Sequence, residues 1–422
     1  MRVQLTPDFE RTAEAQTAAG IVRKCVHCGF CNATCPTYRL DGDELDGPRG
    51  RIYLIKQMLE GSESSRRTQM HLDRCLTCLN CETTCPSGVE YGQLVEIGRR
   101  LTDARVARAP FDRLRRALLR EGLTSRWFGA AVGFARHLRP CLPQALRRRL
   151  PAAAPRARAA SGTRPAAAAG SASRCVLLLG GCVQPSLLPN VGRSTVRVLA
   201  AAGVEARIAP AAGCCGALRR HLSDHAGSLE DMRRNVDAWW PALASGEVAA
   251  IVADASACAL AVKDYGHALA GDPAYAARAA AVAAAARDLG ELLPELVPRL
   301  RPLRGARACG PIAFHSPCTL QHGQRLAGAV ETGLRALGFD LRPPPRDANL
   351  CCGSAGAYSL LEPRIATALR DAKLRALEET GAPTIASANV GCIGHRGAGT
   401  TRPGRHWIEI LDEALAGESA GD

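Results

Sequence analysis

The chain has 422 residues, a formal net charge of +14, 19 cysteines and 4% aromatic residues. That length allows two or three domains with sizeable cores, and so few aromatic side chains argue against a surface that stacks nucleic-acid bases. The opening MRVQLTPDFERTAEAQ has no apolar leader, and no stretch is long enough to span a membrane. Clustered cysteines in such a chain point to a cytoplasmic protein with reduced, metal-binding thiols, not to a secreted disulfide scaffold.

The charge is local. Residues 99–164 hold 17 arginines, no lysine, and only Asp103, Asp112 and Glu121 as acids, so the rest of the chain is neutral overall.

Residues 1–103 carry two C-x2-C-x2-C-x3-C-P motifs: Cys25, Cys28, Cys31, Cys35 and Pro36, then Cys75, Cys78, Cys81, Cys85 and Pro86. Three thiolates at i, i+3 and i+6 wrap one cube, and in two-cluster ferredoxins the fourth cysteine serves the other cluster. The spacing therefore assigns Cys25, Cys28, Cys31 and Cys85 to one 4Fe–4S cluster, and Cys75, Cys78, Cys81 and Cys35 to a second. A zinc site is the competing reading, but zinc takes separated C-x2-C pairs. Gly29 is expected to let the backbone approach a sulfide, and His27 reads as a solvated loop residue. Between the motifs, GRIYLIKQMLEG has a helical apolar face, which favours a helical ferredoxin-like domain.

Residues 104–173 form a second segment. FDRLRRALLR and SRWFGAAVGFARHL read as amphipathic helices, and 151–173 as a Pro/Ala/Ser-rich linker. The segment is either an interfacial anchor for anionic lipid, with Trp127, Phe128 and Phe134 on its apolar side, or a solvated connector. A nucleic-acid role has no recognised module to support it.

From 174 the chain repeats itself. In residues 174–300 the strand CVLLLGG leads to Cys182, a helix and strand to Cys214-Cys215-Gly216, and the strand VAAIVAD to Cys258. In 301–422 GPIAFHSPC leads to Cys318, a helix and strand to Cys351-Cys352-Gly353, and PTIASA to Cys392. The interval from first cysteine to doublet is 32 residues in one copy and 33 in the other, so one αβ unit is used twice, with a mostly parallel sheet in each. The fold class is thus α+β and multidomain: a helical two-cluster ferredoxin-like domain followed by two α/β cysteine-rich repeat domains. Each repeat's four cysteines sit at strand–helix junctions, where α/β folds place sites. They are read either as ligands of additional clusters or redox thiols, or as buried core residues. Cys141, Cys175 and Cys309 fit neither pattern.

The strings CVHCGFCNATCPTYRLDGDELDGPRGRIYLIKQ, CLTCLNCETTCPSGVEYG and LCCGSAGAYSLLEPRIATALRDAKLRAL resemble the iron–sulfur subunit of glycolate oxidase (glycolate dehydrogenase), with two CCG cysteine-rich domains in its C-terminal half. The resemblance implies an electron-transfer subunit without its own catalytic residues. FAD-containing partner subunits would oxidise glycolate to glyoxylate, and electrons would pass toward the quinone pool, with peripheral contact at the inner face of the cytoplasmic membrane. No G-x-G-x-x-G follows a strand to hold a dinucleotide here. The iron–sulfur subunit of anaerobic glycerol-3-phosphate dehydrogenase, which shares the domain plan, or of another 2-hydroxyacid dehydrogenase is the alternative; a zinc-stabilised interaction protein is the alternative of another class. Heterodisulfide-reductase relatives end each CCG domain in C-x-x-C, whereas Ala255 and Asn389 occupy the earlier position here. Each copy lacks one thiolate, and His315 and His322, flanking Cys318, are the stand-ins to consider.

Overall fold

The computed structural model describes residues 1–125, 127–139, 174–304 and 310–416. The expected linker 151–173, Cys141 and Cys309 lie outside the described residues. Numbering the helices of eight residues or more, the N-terminal part contains α1 (Ala13–Lys24), α2 (Pro48–Leu59), α3 (Arg66–Asp73) and α4 (Tyr91–Arg105). Their apolar faces meet in one core that includes Val22, Ile55, Leu59, Leu94 and Val95. Gly98 lets α4 approach α2 closely, since a Cβ there would lie 2.6 Å from the Ile55 side chain. The two cysteine loops precede short helices at Phe30–Ala33 and Asn80–Thr84, so this part is helical, as the residues between the motifs predict.

Next come α5 (Pro110–Thr124) and α6 (Phe128–His137). The orientation of α5 inverts that of an ordinary surface helix. Arg116 turns inward to Asp73 and Asp112, at 3.0 Å each, and Arg108 just before the helix also binds Asp73, at 2.6 Å. Phe111, Leu114 and Leu118 point outward, 77%, 57% and 66% exposed.

The rest is two parallel sheets. The first has β1 (Arg174–Leu178), β2 (Val204–Arg207), β3 (Ile251–Ala253) and β4 (Ala286–Asp288), in spatial order β2-β1-β3-β4; the second has β5 (Ile312–His315), β6 (Leu341–Arg342), β7 (Thr384–Ser387) and β8 (Gly404–His406), in order β6-β5-β7-β8. All pairings are parallel. Around the first sheet lie α7 (Pro189–Ala201), α8 (His225–Ala244), α9 (Ser256–Lys263), α10 (Ala276–Ala285) and α11 (Leu289–Leu300). The second carries α12 (Ala329–Ala336), α13 (Pro363–Glu378), α14 (Val390–Gly397) and α15 (Trp407–Leu415). The fourth strand of each copy escapes sequence reading because ARD and GRH carry no apolar run.

The copies exchange their closing helices. α11, which ends the first copy, packs on α12 of the second, and α15 packs on α7 of the first. One core therefore spans both, joining Val176, Val198 and Leu293 to Phe314, Leu334 and Trp407. The exchanged helices start alike, in capping boxes: Asp288 accepts from Gly290 N at 2.8 Å with Glu291 reaching back, and His406 accepts from Ile408 N at 3.3 Å with Glu409 reaching back. Asp412 on α15 binds Ser194 and Arg197 of α7, at 2.8 Å and 2.9 Å.

Trp407 is 1% exposed in this shared core. Trp407→Ala is expected to cost about 3–5 kcal/mol. Hydrogen-exchange mass spectrometry should then show faster exchange in α7 as well as α15; acceleration confined to α15 would contradict a shared core.

Candidate metal centres

In the first cysteine loop His27 and Gly29 take left-handed backbone conformations, φ 62° and 85°; in the second, Thr77 and Leu79 do so at the same places, φ 49° and 61°. The loop shape is thus common to both motifs. At the place of Gly29, Leu79 adopts the same conformation with a side chain, and a Cβ at Gly29 would meet Arg49 Nη1 at 2.6 Å. The glycine makes room for a guanidinium. His27 is exposed, as its loop position suggests.

Two cavities open between these loops. The outer is lined by Cys25, Cys28, Cys31 and Cys85. The inner is lined by Cys35, Cys75 and Cys78. Pro48, Cys81 and Tyr91 border both. The outer cavity reaches the surface, for Cys28 is exposed; Cys35, Cys75, Cys78 and Cys81 are all buried. Each cavity thus collects the three cysteines of one motif and the fourth cysteine of the other.

Burial, reinforced by the neighbouring Cys25, pushes the Cys31 thiol up to about 11, and burial with the neighbouring Cys78 raises Cys81 well above the thiol range. Crowded thiols of this kind lose their protons together only to a metal, and an all-sulfur donor set suits iron–sulfur chemistry. Cys75 goes the other way: against the effect of burial, Arg51 and Arg99 hold it below the usual range, and Thr77 N donates to its sulfur at 3.4 Å.

The DELDGPRGR string explains how Cys35 and Cys75 are held. Asp46 is 1% exposed and receives Arg51 at 3.5 Å, His71 at 2.8 Å and Arg74 at 2.9 Å. Its carbonyl accepts from Thr37 Oγ1 at 2.6 Å, and Thr37 Oγ1 lies 3.2 Å from Cys35 Sγ. Gly50 lets α2 meet the preceding turn, since a Cβ there would lie 2.1 Å from Glu44 O. Sequence reading missed Arg51 and Asp46; their signal was an opposite-charge pair five residues apart at a helix entry.

The repeat cysteines also converge. In the first copy Cys182, Cys214, Cys215 and Cys258 lie together, and the neighbouring Cys182 and Cys215 hold the Cys214 thiol well below its usual range. In the second, Cys318 lies 3.8 Å from Cys351, and Cys352 bridges Cys351 and Cys392. Cys175 is a buried strand residue in the first copy's own core, a cluster that also takes in Cys215. His322 is committed elsewhere, bonding Thr83 Oγ1 at 3.0 Å and Asn349 O at 2.8 Å. His315 faces Cys352 and Cys392.

The inner cavity abuts the second copy. Leu76 and Cys78 share one packed cluster with Cys351, Tyr358 and Cys318. Tyr358 Oη donates to Arg74 O at 3.0 Å, Asn80 Nδ2 to Asn349 O at 3.2 Å, and Arg39 binds Asp347 at 2.9 Å.

The 4Fe-4S dicluster domain model matches residues 21–89, and the cysteine-rich domain model matches 176–263 and 312–395. The chain is 48% identical over 423 residues to the glycolate oxidase iron-sulfur subunit of Escherichia coli K12, covering 99% of this chain and all of that one. It is 30% identical to the probable glycolate oxidase iron-sulfur subunit of Bacillus subtilis 168, over 94% of each. The lactate utilization protein A of Geobacillus thermodenitrificans is 29% identical over 56% of this chain and 98% of its own length. The N-terminal domain is thus an iron–sulfur electron carrier with 4Fe–4S clusters.

Arg51 is a buried cation beside Cys75 and Cys35. Arg51→Met should make the potential of one cluster more negative by on the order of 50 mV, read by an EPR-monitored redox titration; an unchanged pair of potentials would separate Arg51 from the cluster.

Proposed function

Because the chain belongs to the family of glycolate oxidase iron–sulfur subunits, we propose that it relays electrons from a FAD-containing partner that oxidises glycolate to glyoxylate toward a quinone. Cys25, Cys28, Cys31 and Cys85 hold the outer cluster in this reading, and Cys35, Cys75, Cys78 and Cys81 the inner. The clusters supply one-electron carriers. Two electrons and two protons leave glycolate at the partner, and this chain passes the electrons singly. Its residues keep the carriers dry, close and fixed in charge: Pro48 and Tyr91 form the partition, and the Asp46–Arg51–Arg74 network sets the inner cluster's surroundings.

The observation that carries this reading is the line of thiol sites. The outer cavity shares a wall with the inner, and the inner packs through Cys78 on Cys318 and Cys351. Electrons enter or leave at the outer end, where Cys28 is exposed and Val26 and Phe30 are 67% and 61% exposed, a surface suited to a partner subunit. The repeat cysteines, Cys182, Cys214, Cys215 and Cys258 with Cys318, Cys351, Cys352 and Cys392, are thiol sets for further centres.

Among the described residues no helix is long and apolar enough to cross a membrane. We place the chain on the cytoplasmic side, in peripheral contact with the membrane through Phe111, Leu114, Leu118 and Phe134. These residues are exposed while the neighbouring Arg108 and Arg116 are consumed in ion pairs, so apolar insertion dominates over attraction to charged headgroups.

Cys78→Ser, assayed in the assembled complex, should abolish glycolate-dependent quinone reduction and spare oxidation coupled to a dye that accepts electrons at the flavin partner. Intact quinone reduction would refute the relay. Leu114→Glu with Leu118→Glu should abolish co-sedimentation with phospholipid vesicles, neutral or anionic; undiminished binding would refute the contact.

A further inference from the structure

The two repeat copies superpose in sequence register around their cysteines, and the register exposes a difference between them. Beside Cys182, Cys214, Cys215 and Cys258 the first copy places Leu179, Ala253 and Val262, which are 3%, 3% and 1% exposed. The second copy puts His315, Ser387 and Arg396 at the same places, equally buried at 2%, 0% and 1%. Three apolar side chains are thus exchanged for three polar ones in a dry interior, a costly substitution unless something there satisfies them.

The protein itself satisfies them only in part. Ser387 Oγ donates to His315 O at 3.0 Å, so its single proton is used, and the 3.0 Å contact between His315 Nδ1 and Ser387 Oγ must be an Nδ1–H donation. That fixes the tautomer and leaves a lone pair on Nε2. Nε2 finds no nitrogen or oxygen partner; the imidazole faces the Cys352 sulfur and forms with the Cys352 and Cys392 sulfurs a group whose ligand atoms are all within 4.8 Å of one another. A buried imidazole whose other nitrogen is held by a neighbouring acceptor is how proteins present histidine to metal. Arg396 gives one hydrogen bond, from Nε to Cys392 O at 3.2 Å, while Nη1 and Nη2 have no partner. A buried guanidinium with two idle nitrogens requires a nearby anion. Two further donors already point at the sulfurs: Asn389 Nδ2 at Cys392 Sγ and Gly353 N at Cys351 Sγ, each 3.4 Å away.

We propose that the second cysteine-rich copy binds an iron–sulfur cluster through Cys318, Cys351, Cys352, Cys392 and the Nε2 of His315, with Arg396 as the buried counter-cation. His315 supplies the fifth donor that the missing cysteine at Asn389 would have given, and Leu179 denies that donor to the first copy. Four thiolates and an imidazole make five donors, one more than a structural zinc site takes. Because Cys318 and Cys351 pack on Cys78, the centre extends the line of carriers. The inference rests on the proposed relay for its role but not for its existence.

The test is the full chain purified anaerobically with its native metal, with iron, sulfide and zinc counted and the reduced protein studied by pulsed EPR. The two N-terminal clusters account for about eight irons. We expect clearly more iron and sulfide than that, and a third signal with strong ¹⁴N coupling. Cys352→Ser should remove that signal and leave the other two. His315→Cys should keep the iron count and lose the ¹⁴N coupling, which separates ligation from folding. About eight irons with both N-terminal signals intact, zinc in the second copy, or ¹⁴N coupling that survives in His315→Cys would each overturn the proposal. Absence of the N-terminal signals beside an intact third one would instead overturn the relay.

Discussion

Sulfur atoms gathered in a space too dry for them to be charged alone are the constraint on which the rest of this molecule depends. Cys75, Cys78 and Cys81 are buried, and without a metal burial would keep most such thiols protonated. The fold is arranged around meeting that demand. Left-handed residues shape both loops, a wall of Pro48 and Tyr91 separates two cavities, and Arg51 brings one positive charge to the inner cavity. Asp46 is held in turn by His71 and Arg74, so the cation next to the sulfurs is fixed by a network and not by a single side chain.

The same economy governs the C-terminal half. Each four-stranded sheet buries one face within its own copy and shares the core on the other, because each copy lends its last helix to the other. The pairing of α7 with α15 and of α11 with α12 makes the two repeats one body. The N-terminal domain docks on the second copy through Tyr358, Asn349 and Asp347. This docking sets Cys78 against Cys318 and Cys351, and so aligns three thiol sites from the surface inward.

Much of this was legible in the residues. The two C-x2-C-x2-C-x3-C-P strings specify two loops of one shape, and each motif's fourth cysteine lines the cavity of the other motif's first three. The doublets Cys214-Cys215 and Cys351-Cys352 mark the repeat because only a loop brings adjacent side chains to one place. The helix exchange was not legible: α11 and α15 are amphipathic in either packing, and nothing local says whose sheet they cover. The fourth strands were too short to show a period. The polar trio His315, Ser387 and Arg396 is scattered over 81 positions, and only the parallel pairing of β5 with β7 brings it together. The arginines of 99–164 read as a field of charge, yet Arg108 and Arg116 are spent on Asp73 and Asp112.

The central claim is that this chain is a relay of adjacent carriers, and cluster-to-cluster magnetic interaction tests it most directly. EPR of the full chain should be followed through a stepwise reduction. The shared wall of the two N-terminal cavities requires that the spectrum of the fully reduced protein be broadened and split by spin–spin coupling. A fully reduced spectrum that is the plain sum of independent, unbroadened signals would place the clusters too far apart and contradict the account.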